Sequence, residues 1–340
     1  MALALSLARR GLGQVSPNPA VGCVIVDRDG LVAGRGWTQK GGRPHAETEA
    51  IAQAGSRARG ATAYVSLEPC AHHGVTGPCA QALIAAGVSR VVSAAQDPDP
   101  RVAGKGHAML REAGIAVLTG VMEREALALN EGFILRVTQN RPLVTLKLAM
   151  SIDGRIATAS GQSQWITGEA ARAHGHMLRA QSDAILIGAG TALADDPLLT
   201  CRIPGLEARS PLRVVAAGKR PFTLTKRLAA SKDHGEVLVL DTSLASGQER
   251  PEPAAMLSAL AARGVTRLLI EGGSTISGAF LRAGLVDVLY AYRGAALIGA
   301  DGLAATSPLG ATEMAAVRRF RLESVTTLGD DVVEVFRPRA

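Results

Sequence analysis

Short apolar segments alternate with helix-forming segments along almost the whole chain, and this alternation limits the possible fold more than any other feature. In the first 140 residues, Val21–Asp27 and Thr62–Ser66 have the pattern of buried strands, whereas Ala46–Ala54 and Cys79–Ala86 have the pattern of helices. Glu123–Gln139 is predicted to form one further helix. The βαβ order predicts a layered α/β domain.

A turn signal, Asn140-Arg141-Pro142, follows this region and is predicted to divide the chain. A second α/β pattern begins after it, with a strand at Leu143–Ala149 and a helix at Glu169–Ala180. A length of 340 residues also suits two domains better than one. We therefore predict one domain over residues 1–140 and a second over residues 142–340.

The charge balance is mildly basic, with 37 Lys and Arg against 30 Asp and Glu. Such an excess suits a phosphorylated small molecule or a dinucleotide. The basic residues are scattered, without the dense run typical of a nucleic-acid-binding tail. Aromatic residues make up only 3%, which argues against stacking platforms for single-stranded nucleic acid. We expect a small-molecule substrate and no nucleic-acid partner.

Four cysteines in a chain of this length cannot form a disulfide scaffold. No apolar run is long enough to predict a transmembrane helix, so no membrane partner is expected. The apolar start, Met1–Leu7, precedes Arg9 and Arg10, which is the reverse of the order in a signal peptide. These features predict a cytoplasmic protein, in which clustered cysteines bind metal or do chemistry.

One histidine and two cysteines in the first half have the character of a metal site. His45 opens a predicted helix, Cys70 follows a predicted strand, and Cys79 opens the next helix. Three such ligands suit catalytic zinc, because they leave a fourth coordination position open to water. Glu47, two residues from His45, is placed to take a proton from that water and hand it to a leaving amine. These four residues therefore predict a zinc-dependent deamination site of the kind found in nucleobase deaminases.

Other histidines and cysteines of the chain are alternative candidates for the same site. His72 and His73 lie between the two cysteines and compete as ligands, but we interpret them as loop residues near the substrate. Cys23 lies in an apolar strand and is predicted to belong to the core. Cys201 is far from the motif and has no partner at ligand spacing, so no role is assigned to it.

Two glycine-containing stretches in the second half are candidate phosphate-binding turns. Gly188-Ala189-Gly190-Thr191 follows a strand but lacks the third glycine of a dinucleotide-binding loop. Glu271-Gly272-Gly273-Ser274 follows an apolar strand and opens a helix, so it could hold a phosphate or be a plain strand–helix turn. Asp195-Asp196-Pro197 could likewise be only a turn.

Three polar side chains of the second half lie in regular elements. Lys147 falls within an apolar strand pattern, so it is either an edge residue or points into a site. His174 and His176 lie on a charged helix face and are predicted to be exposed to solvent.

Several stretches of the first half form a recognisable series: Ser16-Pro17-Asn18-Pro19, His45-Ala46-Glu47, Leu67-Glu68-Pro69-Cys70-Ala71-His72-His73-Gly74, Pro78-Cys79, and Gln96-Asp97-Pro98 with Val102-Ala103-Gly104. Together they resemble the deaminase half of the bifunctional riboflavin-biosynthesis deaminase–reductases. The resemblance implies a cytidine-deaminase-like α/β/α layered domain. It also implies zinc ligands at His45, Cys70 and Cys79, a proton shuttle at Glu47, and a pyrimidine-site contact at Asn18.

A second series follows in order: Leu146-Lys147-Leu148-Ala149, Ser163-Gln164-Trp165-Ile166-Thr167, Leu178-Arg179-Ala180, Leu193-Ala194-Asp195-Asp196-Pro197 and Glu271-Gly272-Gly273. It resembles the reductase half of the same family, which implies a dihydrofolate-reductase-like α/β domain that binds NADPH. The implied NADPH contacts are Ala149, Trp165, Thr191, Asp195 and Gly273. The implied substrate contacts are Lys147, Ser163, Arg179, Leu199, Arg202 and Glu271.

The resemblance implies two consecutive reactions. The first is the zinc-dependent hydrolytic deamination of 2,5-diamino-6-(5-phosphoribosylamino)pyrimidin-4-one. The second is the NADPH-dependent reduction of its ribosyl group, which gives 5-amino-6-(5-phosphoribitylamino)uracil. The family also implies a homo-oligomer assembled through the second half.

Two alternatives compete with this reading. A nucleic-acid base deaminase with a C-terminal binding module is disfavoured by the scattered charge, the few aromatic residues and the second series of motifs. A non-enzymatic zinc-stabilised protein would leave Glu47 without a role.

Four positions depart from the family pattern. Val75 stands where the family usually has a basic residue that is expected to contact the ribose phosphate, and Gly77 stands where proline is usual. Ala217 replaces a frequent Asp at a strand end, and Ala296 replaces a frequent Lys. These departures bear on binding details more than on the reactions.

Overall fold

The computed structural model describes residues 1–72, 77–100, 102–218, 222–230, 235–244 and 249–339. The chain forms two compact units, Met1–Arg141 (unit 1) and Pro142–Ala340 (unit 2). Within the described ranges, none of the helices combines the length and the apolar character needed to cross a membrane.

Unit 1 is built on a five-stranded sheet in the order β2-β1-β3-β4-β5. Strand β1 pairs antiparallel with both β2 and β3, whereas β3, β4 and β5 run parallel to one another. Parallel neighbours require helical crossovers, which explains the alternating sequence pattern. The strands are β1 (Gly22–Val26), β2 (Val32–Trp37), β3 (Thr62–Val65), β4 (Arg90–Ser93) and β5 (Ala116–Leu118).

Helices cover both faces of this sheet. Val24 packs with Ala4 and Leu7 of the first helix on one face. Cys23 and Ile25 point to the other face, because side chains alternate along a strand, and join the main core there. The prediction that Cys23 belongs to the core is confirmed. The helices are α1 (Ala2–Arg9), α2 (Ala46–Ala54), α3 (Cys79–Ala85), α4 (Lys105–Glu112), α5 (Glu123–Leu129) and α6 (Glu131–Gln139).

The single helix predicted over Glu123–Gln139 is wrong, because the segment forms α5 and α6 with a break at Asn130. The side chain of Asn130 is buried and bonds to the backbone of Ala20. Its Oδ1 accepts from the Ala20 N–H at 2.9 Å, and its Nδ2 donates to the Ala20 carbonyl at 3.1 Å. The break therefore serves a contact between segments 110 residues apart in sequence.

Unit 2 contains an eight-stranded sheet in the order β10-β9-β8-β11-β6-β12-β15-β14. The first six strands in this order run parallel, and β15 and β14 add an antiparallel edge. The hairpin of β14 and β15 was not predicted. The strands are β6 (Leu143–Ser151), β7 (Arg155–Ala157), β8 (Ala184–Gly188), β9 (Leu212–Ala216), β10 (Val237–Leu240), β11 (Arg267–Ile270), β12 (Val288–Gly294), β13 (Leu303–Ala304), β14 (Phe320–Leu328) and β15 (Asp331–Pro338), of which β7 and β13 form a separate pair.

Helices also flank both faces of the large sheet. Leu146 and Leu148 of β6 share a core with Leu257 and Phe280 of the helices on one side. The opposite face carries α7 and α8, with Ala171 and other residues packed on β8 and β9. Lys147 therefore lies on the α7 side, in the middle of the sheet rather than at an edge. The helices are α7 (Glu169–Ala180), α8 (Ala189–Asp195), α9 (Lys226–Ala230), α10 (Pro253–Ala262) and α11 (Ser274–Ala283).

Candidate functional site

The folded unit 1 brings His45, Cys70 and Cys79 together, with their ligand atoms all within 4.8 Å of one another. His45 is the N-cap residue of α2, Cys70 follows β3, and Cys79 is the first residue of α3. The Nδ1 atom of His45 lies 3.2 Å from the Cys79 sulfur and 3.7 Å from the Cys70 sulfur. One imidazole and two thiols in this arrangement fit a zinc ion, which prefers nitrogen and sulfur ligands.

The electrostatics of the cluster favour a thiolate at Cys70. A hydrogen bond from the Cys79 thiol, with further help from His45, lowers the pKa of Cys70 to about 4. The backbone N–H of Cys79, at the start of α3, also donates to the Cys70 sulfur at 3.3 Å. Both contacts stabilise negative charge on sulfur, as a metal ligand requires.

Glu47 lies in the first turn of α2 and is buried, with only 3% of its surface exposed. Burial, reinforced by the negative charge of Cys70, raises the pKa of Glu47 to about 7. A carboxyl group whose pKa lies near neutrality can both accept and release a proton at physiological pH.

Several sequence predictions concern the surroundings of this cluster. Asn18 donates from Nδ2 to the carbonyl of Gly42 at 2.8 Å, in the segment that leads into His45. His72 carries a buried Nδ1 without a hydrogen-bond partner within the described part of the chain. His73 and Val75 lie outside the described residues. Gly77 is described, and a Cβ there would meet open space.

Glu68, which sequence reasoning did not single out, organises the segment around Cys70. It is 3% exposed, and its carboxylate accepts hydrogen bonds from four backbone N–H groups. The donors are Asp97, Gly104, Gly106 and His107, at 2.9 to 3.2 Å. The signal in the sequence that could have revealed Glu68 was a charged residue directly before Pro69-Cys70, at the end of a mostly apolar segment.

Unit 2 contains a cleft of about 1820 Å³. Ten of the eleven reductase positions predicted from the sequence line it, and Leu199 does not. Leu199 is 2% exposed, and its side chain packs in the core. Its backbone has a φ of 57°. The ten lining positions are Lys147, Ala149, Ser163, Trp165, Arg179, Thr191, Asp195, Arg202, Glu271 and Gly273.

A buried ion cluster occupies one region of the cleft. Glu271 accepts two hydrogen bonds from the Arg179 guanidinium, at 2.7 and 2.9 Å, and lies 3.6 Å from Lys147 Nζ. Burial opposes ionisation of Glu271, but Arg179 and Lys147 outweigh it and lower its pKa to about 2. Of the two interpretations of Lys147, the structure supports the one in which it points into a site.

The prediction that His174 and His176 are exposed is wrong, since both are half-buried. His176 lines the cleft, and its Nδ1 accepts the backbone N–H of Arg202 at 3.3 Å. Burial, together with the charges of Arg179 and Arg202, lowers the pKa of His176 to about 4. The ring is therefore neutral at pH 7 and presents Nε2–H as a donor.

Helix α7 contributes more lining residues than the sequence reasoning found. Arg172, Gly175, His176 and Arg179 all line the cleft. Their spacing of three and four residues places them on one helix face, and this spacing from Arg179 was the available signal. Arg172 also lies over the Trp165 ring, with its guanidinium carbon 4.5 Å from the ring centroid. Cys201 is buried, and its thiol donates to the carbonyl of His176 at 3.6 Å, a structural contact not foreseen.

The turn before α11 fits the phosphate-bearing part of a dinucleotide. Gly272 and Gly273 line the cleft at the N-terminus of this ten-residue helix, where backbone N–H groups attract anions. A Cβ on Gly272 would lie 2.9 Å from the Ile187 backbone, and one on Gly273 would lie 2.7 Å from Thr191 Oγ1. The departure Ala217 also lines the cleft, whereas Ala296 does not.

Comparisons with known proteins agree with the division into two parts. The family model for the cytidine and deoxycytidylate deaminase zinc-binding region matches residues 1–95. The model for the RibD C-terminal domain matches residues 142–334. The fold of the N-terminal part is therefore cytidine-deaminase-like, and that of the C-terminal part is the dihydrofolate-reductase-like fold of the RibD reductases, as predicted.

Relatives match over nearly the full length. The riboflavin biosynthesis protein RibD of Escherichia coli is 42% identical, over 98% of this chain and 96% of the relative. The structure of Acinetobacter baumannii RibD superposes with a TM-score of 0.91 at 40% identity, covering 100% of this chain and 98% of that one. A diaminohydroxyphosphoribosylaminopyrimidine deaminase/5-amino-6-(5-phosphoribosylamino)uracil reductase from Thermotoga maritima superposes with a TM-score of 0.87 at 35% identity, covering 100% and 97%. The matched family model and the full-length relatives agree, and the chain belongs to the RibD family of riboflavin biosynthesis proteins.

Proposed function

We propose that the protein catalyses two consecutive steps of riboflavin biosynthesis. The first is the hydrolytic deamination of 2,5-diamino-6-(5-phosphoribosylamino)pyrimidin-4-one. The second is the NADPH-dependent reduction of the ribosyl group, which yields 5-amino-6-(5-phosphoribitylamino)uracil. The observation that carries the proposal is the presence in one RibD-family chain of a His-Cys-Cys cluster beside a buried Glu47 and of a separate cation-lined cleft with a glycine turn.

We assign deamination to residues 1–140. His45, Cys70 and Cys79 would hold zinc, which would act as a Lewis acid and lower the pKa of water to about 7. Glu47 accepts a proton from the attacking water and delivers it to the departing amino group. The C–N bond breaks as a C–O bond forms, and one ammonia is released for each water consumed. Asn18 contributes to the pyrimidine pocket through its hold on the Gly42 segment.

We assign reduction to residues 142–340. NADPH supplies the hydride, and the protein binds and orients the two reactants. We propose that Ala149, Trp165, Thr191, Asp195 and Gly273 contact the cofactor. The substrate contacts are then Lys147, Ser163, Arg179, Leu199, Arg202 and Glu271, with Leu199 acting through its backbone, since its side chain is in the core.

The part of the cleft around Arg202 and His176 suits the ribose phosphate. Arg202 lines it, and the neutral His176 offers a further donor without adding charge. Guanidinium groups bind phosphate with two parallel hydrogen bonds, which fixes its orientation as well as its position. Arg202 and His176 would therefore favour a phosphorylated pyrimidine over one without phosphate.

Substitution of Glu47 separates the two activities. Glu47→Gln removes the proton carrier and is expected to slow ammonia release by roughly 100-fold or more, within the range typical of general acid–base catalysis. NADPH oxidation with the deaminated intermediate, 5-amino-6-(5-phosphoribosylamino)uracil, is expected to continue at the wild-type rate. Glu49→Gln is the matched control, because Glu49 lies on the same helix turn but is not fully buried. If Glu47→Gln deaminates as fast as the control, the assigned role of Glu47 is wrong.

We further propose that the protein is a cytoplasmic homo-oligomer assembled through unit 2. Strand β14 supports the assembly, because it forms one edge of the large sheet and exposes Leu322 and Val325 by about half. An edge strand presents unpaired backbone N–H and C=O groups, which can pair with a strand of another chain. The four cysteines are all free, which suits a reducing compartment. Sedimentation of the purified protein tests the assembly, and a monomer at all concentrations would contradict it.

A further inference from the structure

Tyr292, which is buried, and His174, which is half-buried, form a hydrogen-bonded pair that the assignments above leave unused. Tyr292 lies on β12, next to the strand that carries Lys147, and is 1% exposed. Its hydroxyl lies 2.6 Å from His174 Nδ1 on α7. Burial raises the pKa of Tyr292 and lowers that of His174, which favours the neutral phenol and the neutral imidazole in this hydrogen bond.

The face of the Tyr292 ring is directed at Lys147. The Lys147 Nζ atom lies 5.3 Å from the ring centroid, within the distance of a cation–π interaction. The same ammonium group lies 3.6 Å from the Glu271 carboxylate. The Lys147 ammonium group therefore lies between the carboxylate of Glu271, which directly follows β11, and the aromatic ring of Tyr292 on β12.

Two neighbouring residues of helix α7 contact this arrangement. His174 orients the Tyr292 ring, and the next residue is Gly175, which lines the cleft. A Cβ at Gly175 would lie 3.1 Å from Lys147 Cε, closer than most such contacts. The absence of a side chain there leaves room for the methylene groups of Lys147.

We propose that Tyr292, oriented by His174, is a positioning residue that fixes the Lys147 ammonium group for contact with the substrate of the reductase. This inference rests on the proposed reductase function and adds to it a residue that does not line the cleft. The Tyr292 ring attracts the Lys147 ammonium group, the hydrogen bond with His174 fixes the orientation of the ring, and Gly175 leaves space for the Lys147 side chain.

A double-mutant cycle between Tyr292 and Lys147 tests the proposal in the full chain. Tyr292→Leu is expected to lower kcat and to weaken binding of the deaminated intermediate, measured with NADP⁺ present, by roughly tenfold, since a desolvated cation–π contact is of that size. Tyr292→Phe retains the ring and should restore most of the loss. In a Lys147→Met background, Tyr292→Leu should have no further effect on affinity, because the partner is absent. NADPH affinity and ammonia release from unit 1 should be unchanged, which confirms folding.

Additive effects of the two substitutions would overturn the proposal, as would wild-type reduction by Tyr292→Leu. If Tyr292→Leu loses NADPH binding and so fails to fold, His174→Ala provides a second test, because it removes the hydrogen-bond partner of the Tyr292 hydroxyl and keeps the ring. His174→Ala should then lower affinity for the intermediate only when Lys147 is present, and an equal loss in the Lys147→Met background would overturn the proposal. Absence of NADPH oxidation in the wild type would instead refute the reductase function itself.

Discussion

The buried Glu271 carboxylate makes the stability of unit 2 depend on pH in a calculable way. Its side chain is 9% exposed, and Arg179 and Lys147 hold its pKa at about 2, against an ordinary value of 4.5. At about 1.4 kcal/mol for each pKa unit, ionised Glu271 stabilises the folded state by about 3 kcal/mol relative to its protonated form. Glu271→Gln removes this charge and leaves Arg179 without its carboxylate partner. We therefore expect a loss of about 3 kcal/mol at pH 7, in line with other broken buried pairs.

The sign of the pH effect follows from the direction of the pKa change. Because the pKa of Glu271 is lower in the folded state, its contribution is fully present above pH 4.5 and is lost as the pH falls towards 2. The difference in unfolding free energy between wild type and Glu271→Gln should be constant from pH 7 to 5 and shrink below 4.5.

Urea unfolding provides the assay, followed by hydrogen exchange of the β6 and β11 amides so that unit 2 is observed alone. Glu313→Gln is the control, because Glu313 is exposed in a loop and its substitution should change stability by less than about 0.5 kcal/mol. A loss below about 1 kcal/mol for Glu271→Gln, or one that does not shrink in acid, would refute the reasoning, because about 3 kcal/mol is expected from the charge alone.

Three further predictions concern the metal, the glycine turn proposed to bind the cofactor, and a contact within unit 1. Removal of zinc with a chelator should abolish ammonia release and leave NADPH oxidation with the deaminated intermediate intact, and added zinc should restore the first activity; persistent ammonia release by metal-free protein would contradict this. Gly273→Ala places a Cβ 2.7 Å from Thr191 Oγ1, so the KM for NADPH should rise several-fold, whereas ammonia release should not change; an unaltered KM would count against the turn as a cofactor contact. Asn130→Ala leaves the N–H and carbonyl of Ala20 without their partner and should destabilise unit 1 by about 1–3 kcal/mol in thermal unfolding, with no effect on unit 2.

The His-Cys-Cys cluster of unit 1 was predictable from local sequence patterns. His45 and Cys79 stand at the starts of helices and Cys70 lies in the loop that follows β3, and such loops meet at one edge of an α/β sheet. The alternation of apolar strands with helices likewise predicted the layered fold of both units. The proposed cofactor and substrate residues of unit 2 depended on the family resemblance, because Gly188-Ala189-Gly190 and the turn at Gly273 carry weak signals alone.

Features that depend on distant partners were not predictable. The break at Asn130 arises from its bonds to Ala20, which no local pattern encodes. His174 and His176 lie on a helix face with charged neighbours. Only the fold places the Tyr292 hydroxyl beside His174 and the Arg202 backbone beside His176. The exposed residues of β14 give no apolar alternation strong enough to predict a strand.

The order of the two reactions in one purified chain tests the central claim most directly. Zinc-loaded protein is mixed with 2,5-diamino-6-(5-phosphoribosylamino)pyrimidin-4-one and NADPH, and both ammonia and NADPH are followed over time. We predict that ammonia appears first, that NADPH oxidation lags behind it, and that both reach one equivalent per substrate. NADPH oxidation before ammonia release, or either product without the other, would contradict the assignment of two consecutive activities to this chain.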